Sequence, residues 1–193
     1  MLSKQKRSSG MARTPSPLSR RNWLAGVLLG ATGLAKAQSV APVESVAARE
    51  AKAPALPEVG SSLRVPNLSL LDGQSYDPIA AKAKVTVLYW WASTCPFCAQ
   101  QSPEMQKLWN HARSKGLQLL TLSVDKKPED AKAYLQRKGY TFPVAWVSPH
   151  LHQQFPKPRG LPITIVIDSK GKVLQAEKGQ MFPEDVAQLT DWL

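Results

Sequence analysis

The chain contains two cysteines, which stand three residues apart in the segment Cys95-Pro96-Phe97-Cys98. Two thiols at this spacing can exchange disulfides, supply half of a zinc site, or form a purely structural cross-link. The sequence has no His-x₃₋₅-His pair that would complete a zinc finger. A structural cross-link that closes so short a loop would add little stability. The pair therefore favours redox chemistry, in which one thiolate attacks a disulfide and the second thiol resolves the mixed disulfide.

The two cysteines lie where a strand is expected to end and a helix to begin. Residues 85–90 are an almost unbroken run of apolar, β-branched and aromatic side chains, which indicates a strand buried on both faces of a parallel sheet. Pro96 suits the first turn of a helix, and the expected helix runs from residue 95 to about residue 114. At its N-terminus, free N–H groups and the helix dipole stabilise a thiolate. We therefore expect Cys95 to be the nucleophile and Cys98, on the same helical face, to be the resolving thiol.

The rest of the domain alternates between strand and helix patterns. Further strands are expected at residues 63–71, 117–124, 142–147, 163–167 and 173–177, and further helices at residues 128–138 and 183–192. This order is a βαβαβ unit followed by a β-hairpin and a closing helix. It predicts an α/β fold with a central mixed β-sheet flanked by helices.

The first 37 residues have the three parts of an export signal. A basic, polar stretch precedes the apolar run of residues 23–35, and Ala35-Lys36-Ala37 offers small residues for cleavage. The apolar run is too short for a membrane span. We therefore expect a soluble periplasmic protein, with no stable membrane span after cleavage, that begins at Gln38.

The chain is thus divided into a signal peptide, a linker and one domain. Arg20-Arg21 resembles the twin-arginine export signal, while a Sec signal and a translation start at Met11 stay open. Residues 38–58 are rich in Ala and Pro without hydrophobic periodicity, which is typical of a flexible linker. Residues 59–193 hold all the strand and helix patterns and are expected to form the domain.

The net charge of +11 does not indicate a nucleic-acid partner. Residues 1–37 carry seven basic residues and no acidic one, which leaves 18 basic and 14 acidic residues in the remainder. The net charge of that remainder is +4. A net charge this small does not indicate that the domain binds a polyanion.

The segment around the cysteines resembles the active site of the thioredoxin superfamily. The resemblance rests on residues 90–98, on Pro103 in the helix that follows, and on residues 160–164, which are similar to the segment that holds the family's cis-proline. The lead-in at residues 70–73 and the spacing from residue 160 to residue 171 are most similar to the TlpA/ResA branch.

This resemblance implies a thioredoxin-like fold with an N-terminal β-hairpin extension, and it assigns roles to particular residues. Cys95, Cys98 and Pro162 would be catalytic, with a cis Leu161–Pro162 peptide bond beside the sulfurs. The Leu161 backbone would pair with an extended substrate segment. Independently of the resemblance, the position of Trp91 next to the cysteine turn indicates that it lines the substrate groove, with a core position as the alternative. No cofactor and no metal are implied.

Members of the TlpA/ResA branch work outside the cytoplasm and usually act as reductants. The resemblance therefore implies a periplasmic thiol-disulfide oxidoreductase whose partners are exported proteins that bear disulfides or thiols. Cytochrome c assembly factors and copper-centre assembly factors are the partners expected from this branch. A membrane redox partner would recycle the cysteine pair.

Two departures from the family pattern leave the direction of electron flow open. Tyr89 stands where thioredoxins have a buried carboxylate, and Thr94 stands where many relatives have Trp. A DsbA-like oxidant is one alternative, although the short chain shows no room for the helical insertion of such enzymes. A Cu(I) metallochaperone is another, because soft thiolates suit Cu(I). His150 and His152 are expected in a solvated loop and not in a copper site.

Overall fold

A computed structural model describes residues 45–81 and 83–193 of the chain. In chain order the helices and strands are α1 (Val46–Lys52), β1 (Leu68–Ser69), β2 (Ser75–Tyr76), β3 (Val85–Trp91), α2 (Pro96–Ala112), β4 (Leu117–Ser123), α3 (Pro128–Lys138), β5 (Val144–Trp146), α4 (Pro149–Gln154), β6 (Ile163–Asp168), β7 (Val173–Lys178) and α5 (Pro183–Gln188). Short 3₁₀ turns follow α2 and α5, at Arg113–Lys115 and Leu189–Trp192.

Five of the strands form one mixed sheet in the order β5-β4-β3-β6-β7. Strands β3, β4 and β5 run parallel, with α2 and α3 as the crossover helices. Strand β6 runs antiparallel to β3, and β7 antiparallel to β6. Strands β1 and β2 form a separate antiparallel hairpin before the sheet. The mixed sheet, the flanking helices and the N-terminal hairpin expected from the sequence are all present.

Apolar side chains cover both faces of the sheet. All seven residues of β3 are buried, and successive side chains of a strand point to opposite faces. Tyr89 and Trp91 pack on one face with buried residues of α2, α3 and α5. Leu88 and Trp90 pack on the other face with residues of the β1–β2 hairpin and with Phe155. The double burial explains why the sequence of β3 shows no alternation of polar and apolar residues.

Helix α3 has the bounds that the sequence predicts. Pro128 occupies its first turn, where the missing N–H costs nothing. Gly139 ends the helix with a φ of 68°, a left-handed conformation that glycine adopts without a side-chain clash. The first turn is acidic and the last turn basic, which complements the helix dipole.

The first expected strand and the expected histidine loop differ from the structure. Within residues 63–71 only Leu68–Ser69 is a strand. The chain then turns back into the hairpin at Asp72, whose carboxylate accepts the Gln74 N–H at 2.9 Å. The segment with His150 and His152 forms the short helix α4. Ser148 caps this helix by accepting the Leu151 N–H at 3.1 Å. The buried Leu151 side chain anchors it to the domain.

The described part of the expected linker is ordered against the domain. Residues 46–52 form α1, which begins where Ser45 accepts the Ala48 N–H at 3.1 Å. Beyond the helix, the Pro54 carbonyl accepts the Arg159 backbone N–H at 2.8 Å. A composition rich in Ala and Pro does not reveal this order, because it comes from contacts with residues distant in sequence. The signal peptide at residues 1–37, its cleavage site and residues 38–44 lie outside the described residues.

Within the described part of the chain, no helix has the length and apolar character needed to cross a membrane.

Candidate active site

Cys95 and Cys98 form a disulfide where β3 leads into α2. Their Cα atoms are 5.2 Å apart, within the usual range for a disulfide. Cys95 is the N-cap of α2, and Pro96 occupies the first turn. The Cys98 backbone N–H donates to Cys95 Sγ at 3.2 Å. When the pair is reduced, this N–H and the positive end of the helix dipole stabilise a thiolate on Cys95.

The two sulfurs differ in their access to solvent. Cys98 is 1% exposed and belongs to the core between the sheet and α2. Cys95 is only partly buried, and Phe97, between the two cysteines, is 55% exposed. A partner disulfide can therefore reach Cys95 but not Cys98.

Tyr89 lies beneath the active-site turn of α2. Its hydroxyl donates to the Cys98 carbonyl at 3.2 Å and lies 3.1 Å from Ser102 Oγ. The Ser102 hydroxyl also donates to the Cys98 carbonyl, at 2.7 Å. Burial raises the pKa of the Tyr89 hydroxyl far above its usual value. Tyr89 therefore supports the Cys98 backbone as a neutral hydrogen-bond donor, where thioredoxins have a carboxylate.

A second polar network fixes the loop that leads from β3 to Cys95. Asp125 Oδ1 accepts the Ser93 backbone N–H at 2.9 Å and the Ser93 hydroxyl at 2.7 Å. Asp125 Oδ2 accepts the Ser123 hydroxyl at 2.8 Å. Because β3 and β4 are parallel, their carboxyl ends meet at this edge of the sheet. The carboxylate therefore ties the loop before Cys95 to the neighbouring strand.

The Leu161–Pro162 peptide bond is cis, which confirms that expectation. Trp90 pairs with Ile163 across the antiparallel β3–β6 ladder. Pro162 therefore precedes β6 at the edge of the sheet where β3 leads toward Cys95. The Pro162 carbonyl accepts the Gly179 N–H at 2.9 Å, which joins this turn to the end of β7.

Gln101 connects α2 to both segments beside Pro162. It is fully buried, and its Nε2 donates to Thr164 Oγ1 at 3.0 Å. Its Oε1 accepts the Met181 backbone N–H at 2.8 Å. One side chain therefore fixes the cysteine helix relative to β6 and to the segment that follows β7.

An open groove of about 440 Å³ lies between the cysteine turn and the Pro162 turn. Phe97 and Leu161 supply its apolar contacts. Arg159 and Lys178 supply cationic groups, and Glu50 of α1 lines the same groove. A groove of mixed character, lined by the residue between the two cysteines, suits a polypeptide segment.

Trp91 was expected to line the substrate groove, and this expectation is wrong. The residue is fully buried, and its Nε1 donates to Thr121 Oγ1 at 3.1 Å. Its ring packs against Tyr134 and Phe142, with centroids 5.3 Å and 6.4 Å away. Trp91 is a core residue because its position in β3 points toward the face covered by α2 and α3.

Three residues of the site were not identified from the sequence: Glu50, Gln101 and Asp125. Asp125 lies two residues after a buried strand, and this position was a signal that could have identified it. The other two carried no local signal, because their partners are distant in sequence.

In residues 45–81 and 83–193, no three His, Cys, Asp or Glu side chains cluster in a way that could hold a metal ion.

Residues 58–193 match the family model described as Redoxin. The match spans well over half of the chain. The chain belongs to the Redoxin family.

Known relatives of this Redoxin-family chain include thiol-disulfide oxidoreductases. It is 29% identical over 133 residues to thiol-disulfide oxidoreductase ResA of Geobacillus thermodenitrificans, which covers 67% of this chain and 75% of that protein. It is 26% identical to thioredoxin-like protein YneN of Bacillus subtilis, covering 89% of this chain and 98% of that protein. The expected ResA-like resemblance and the expected enzyme class, a thiol-disulfide oxidoreductase, are confirmed.

The fold is also shared with solved structures. A thiol:disulfide interchange protein of the thioredoxin family from Chlorobium tepidum superimposes with a TM-score of 0.62 at 21% identity. The alignment covers 70% of this chain and 97% of that chain. The expected thioredoxin-like fold is therefore confirmed.

Proposed function

We propose that this Redoxin-family protein is exported and reduces disulfides of extracytoplasmic proteins through Cys95 and Cys98. The main support is the unequal placement of the two sulfurs. Cys95 is accessible at a helix N-terminus, whereas Cys98 is buried one turn further along. This arrangement suits a nucleophile and a resolving thiol. Phe97, between the two cysteines, lines a groove that can take a polypeptide.

The reaction begins with the reduced cysteine pair. The Cys95 thiolate attacks one sulfur of a partner disulfide, the partner's S–S bond breaks, and one partner thiolate leaves. The Cys98 thiol gives its proton to the first partner thiolate and attacks Cys95 Sγ, which breaks the mixed disulfide and releases the second partner thiolate. The partner has gained two electrons and the Cys95–Cys98 pair is oxidised. A membrane redox partner would then return two electrons to the pair.

The substrate segment is proposed to bind in an extended conformation against Leu161. Leu161 lines the groove next to Phe97. Among the described residues, no backbone hydrogen bond is found for Leu161. Its N–H and carbonyl are therefore free to pair with a substrate strand, as in other modes of strand addition.

The set of secondary-structure elements in the domain favours a reductant over a DsbA-like oxidant. Between β4 and β6, the described chain contains only α3, β5 and α4. A helical insertion of the kind expected in a DsbA-like enzyme is not found there.

We propose exported proteins of cytochrome c or copper-centre assembly as the partner class.

The redox state of the pair in cells tests this direction. We expect most of the exported protein to have free Cys95 and Cys98 thiols at steady state, since a reductant must be kept reduced. Acid trapping followed by alkylation with a mass-tagged maleimide measures that fraction as a shift in gel mobility. A Cys95→Ala, Cys98→Ala double variant, which cannot be alkylated, marks the mobility of the unlabelled protein. A pair that is mostly oxidised would overturn the reductant direction and favour the oxidant.

Export is tested separately at the N-terminus. We expect the mature protein to begin at or near Gln38, which mass spectrometry of periplasmic material would show. Replacement of Arg20 and Arg21 by Lys should block export if the twin-arginine route is used, whereas undisturbed export would favour Sec. Soluble periplasmic protein that still begins at Met1 or Met11 would contradict the proposed signal peptide.

A further inference from the structure

The N-terminal helix α1 is hydrogen-bonded to the loop that precedes Pro162. Glu50 Oε1 accepts the Gly160 backbone N–H and also accepts from Lys157 Nζ, the latter at 3.1 Å. Gly160 is the residue immediately before Leu161. A carboxylate from the expected linker is therefore bonded to the backbone of the loop that is proposed to bind substrate.

Arg159 attaches the same loop to the residues that directly follow Glu50. Its guanidinium Nη2 donates to the Ala51 carbonyl at 2.6 Å. Its backbone N–H donates to the Pro54 carbonyl at 2.8 Å. The loop and the end of α1 are thus connected through backbone carbonyls as well as through the Glu50 carboxylate.

The Glu50 carboxylate is the counter-ion of the Lys157 ammonium, which lies in the same loop. The Lys157 side chain is 9% exposed, and its Nζ donates to the Pro158 and Gly160 carbonyls at 2.7 Å and 2.9 Å. Among the described residues, Glu50 is its only ion-pair partner. A buried ammonium without a counter-ion is costly. Loss of the carboxylate would therefore disfavour the conformation in which Lys157 binds both carbonyls.

Glu50 is ionised over the working pH range. Burial opposes its ionisation, but the Gly160 N–H and the charges of Lys157 and Arg159 outweigh it and hold the pKa of Glu50 below its usual value. The carboxylate is therefore available as an acceptor and counter-ion near neutral pH.

Gly160 is also close to the Lys178 side chain. Its φ is 101°, and a Cβ at this position would lie 2.9 Å from Lys178 Cγ. The Gly160 backbone is thus in contact with the Glu50 carboxylate through its N–H and lies close to Lys178 as well.

We propose that Glu50 is a positioning residue of the substrate site. It holds residues 157–161 in the conformation in which the Leu161 backbone pairs with an extended polypeptide. This role rests on the polypeptide exchange proposed above. It also makes the segment after the export signal a part of the substrate site, with Glu50 lining the groove.

Steady-state kinetics with two disulfides test this role. The variants are Glu50→Gln, which keeps an acceptor for Gly160 but removes the charge, and Glu50→Ala, which removes both. Glu58→Gln is the matched control, because Glu58 is an exposed carboxylate of the same segment. The substrates are a ten-residue peptide with an internal disulfide and the small aromatic disulfide DTNB, which is too small to need the Leu161 backbone.

We expect Glu50→Ala to raise KM for the peptide about tenfold, which corresponds to about 1.4 kcal/mol. Glu50→Gln should raise it less, and Glu58→Gln should leave it unchanged. The rate with DTNB should stay at the wild-type value in all three variants. An unchanged peptide KM in Glu50→Ala, or an equal loss with both disulfides, would overturn the positioning role.

Hydrogen exchange at the Gly160 amide gives a readout that needs no substrate. We expect this N–H to exchange faster in Glu50→Ala than in the wild type, while amides of β3 keep their protection. Equal protection of Gly160 in both proteins would refute the role, even if the wild type proved inactive on the peptide. Wild-type inactivity on both disulfides would count against the proposed function and not against the hydrogen bond to Gly160.

Discussion

At the scale of single residues, the active site depends on the difference between two chemically identical side chains. Cys95 caps α2 and accepts the Cys98 N–H, whereas the Cys98 sulfur is enclosed by the core. The sequence predicts this division from the position of Pro96 and from the strand that precedes it. The burial of Cys98 adds what the sequence could not show, since it depends on packing against distant residues.

The first prediction concerns the reactivity of the two thiols. In the reduced protein, Cys95 should react with iodoacetamide faster than Cys98, because it is accessible and its thiolate is stabilised at the helix N-terminus. The Cys98→Ala variant should accumulate mixed disulfides with partner proteins, which non-reducing gels and mass spectrometry would identify. Equal alkylation of both thiols, or accumulation in Cys95→Ala instead, would reverse the assignment.

The second prediction concerns Tyr89 and alkaline pH. Its folded-state pKa is raised by burial, so the unfolded state releases the hydroxyl proton first, at pH about 10. Stability should therefore fall as pH rises above about 10. The Tyr89→Phe variant should lose about 1 kcal/mol at neutral pH, because the hydrogen bond to the Cys98 carbonyl is lost. It should also show a shallower alkaline decline than the wild type.

Urea unfolding at neutral pH and at several pH values above 10 measures both effects. The buried Tyr76 and Tyr134 and the partly buried Tyr140 also have raised pKa values, so some decline should remain in the variant. An alkaline slope that is the same in Tyr89→Phe and the wild type would show that Tyr89 does not contribute to it.

At the scale of secondary structure, one buried amide aligns the elements that bear the active site. Gln101 of α2 bonds both to Thr164 in β6 and to the Met181 backbone. Pro162 lies two residues before Thr164 in sequence. The relative position of the cysteine turn and the Pro162 turn therefore depends on this side chain.

The third prediction follows from that alignment. Gln101→Leu should lower the free energy of unfolding by about 1–3 kcal/mol, since the Met181 N–H is left buried without an acceptor. The rate of peptide disulfide reduction should fall as well, because α2 and β6 lose a shared bond. Gln100→Leu is the control, because Gln100 is exposed on the same helix. Denaturant unfolding measures the free energy of unfolding, and a peptide assay measures the rate of disulfide reduction. Equal stability and equal rates in the two variants would contradict the role of Gln101.

The elements that the sequence predicts well have strong local signals. Strand β3 is an apolar, β-branched run, and α3 is bounded by Pro128 and Gly139. The sequence does not predict α1, whose order depends on Glu50 and its contacts with residues 157–160. It also misplaces Trp91, because a strand buried on both faces has no polar alternation to show which side faces the groove.

At the scale of the whole molecule, the domain combines a rigid sheet with a reactive edge. The carboxyl ends of β3 and β4 carry the Cys95 loop and its Asp125 brace, and the start of β6 carries Pro162. Helix α1 is bonded to the same edge through Glu50. The chain that precedes the sheet is therefore attached to the loop next to Pro162.

The equilibrium reduction potential of the Cys95–Cys98 couple tests the proposed reductase most directly. It is measured by titrating the purified protein in dithiothreitol or glutathione buffers and quantifying free thiols, with the double Ala variant as the blank. We expect a reversible two-electron couple with a potential near that of thioredoxin, about −270 mV. A potential near that of DsbA, about −120 mV, would make the protein an oxidant, and the absence of a reversible couple would contradict disulfide exchange altogether.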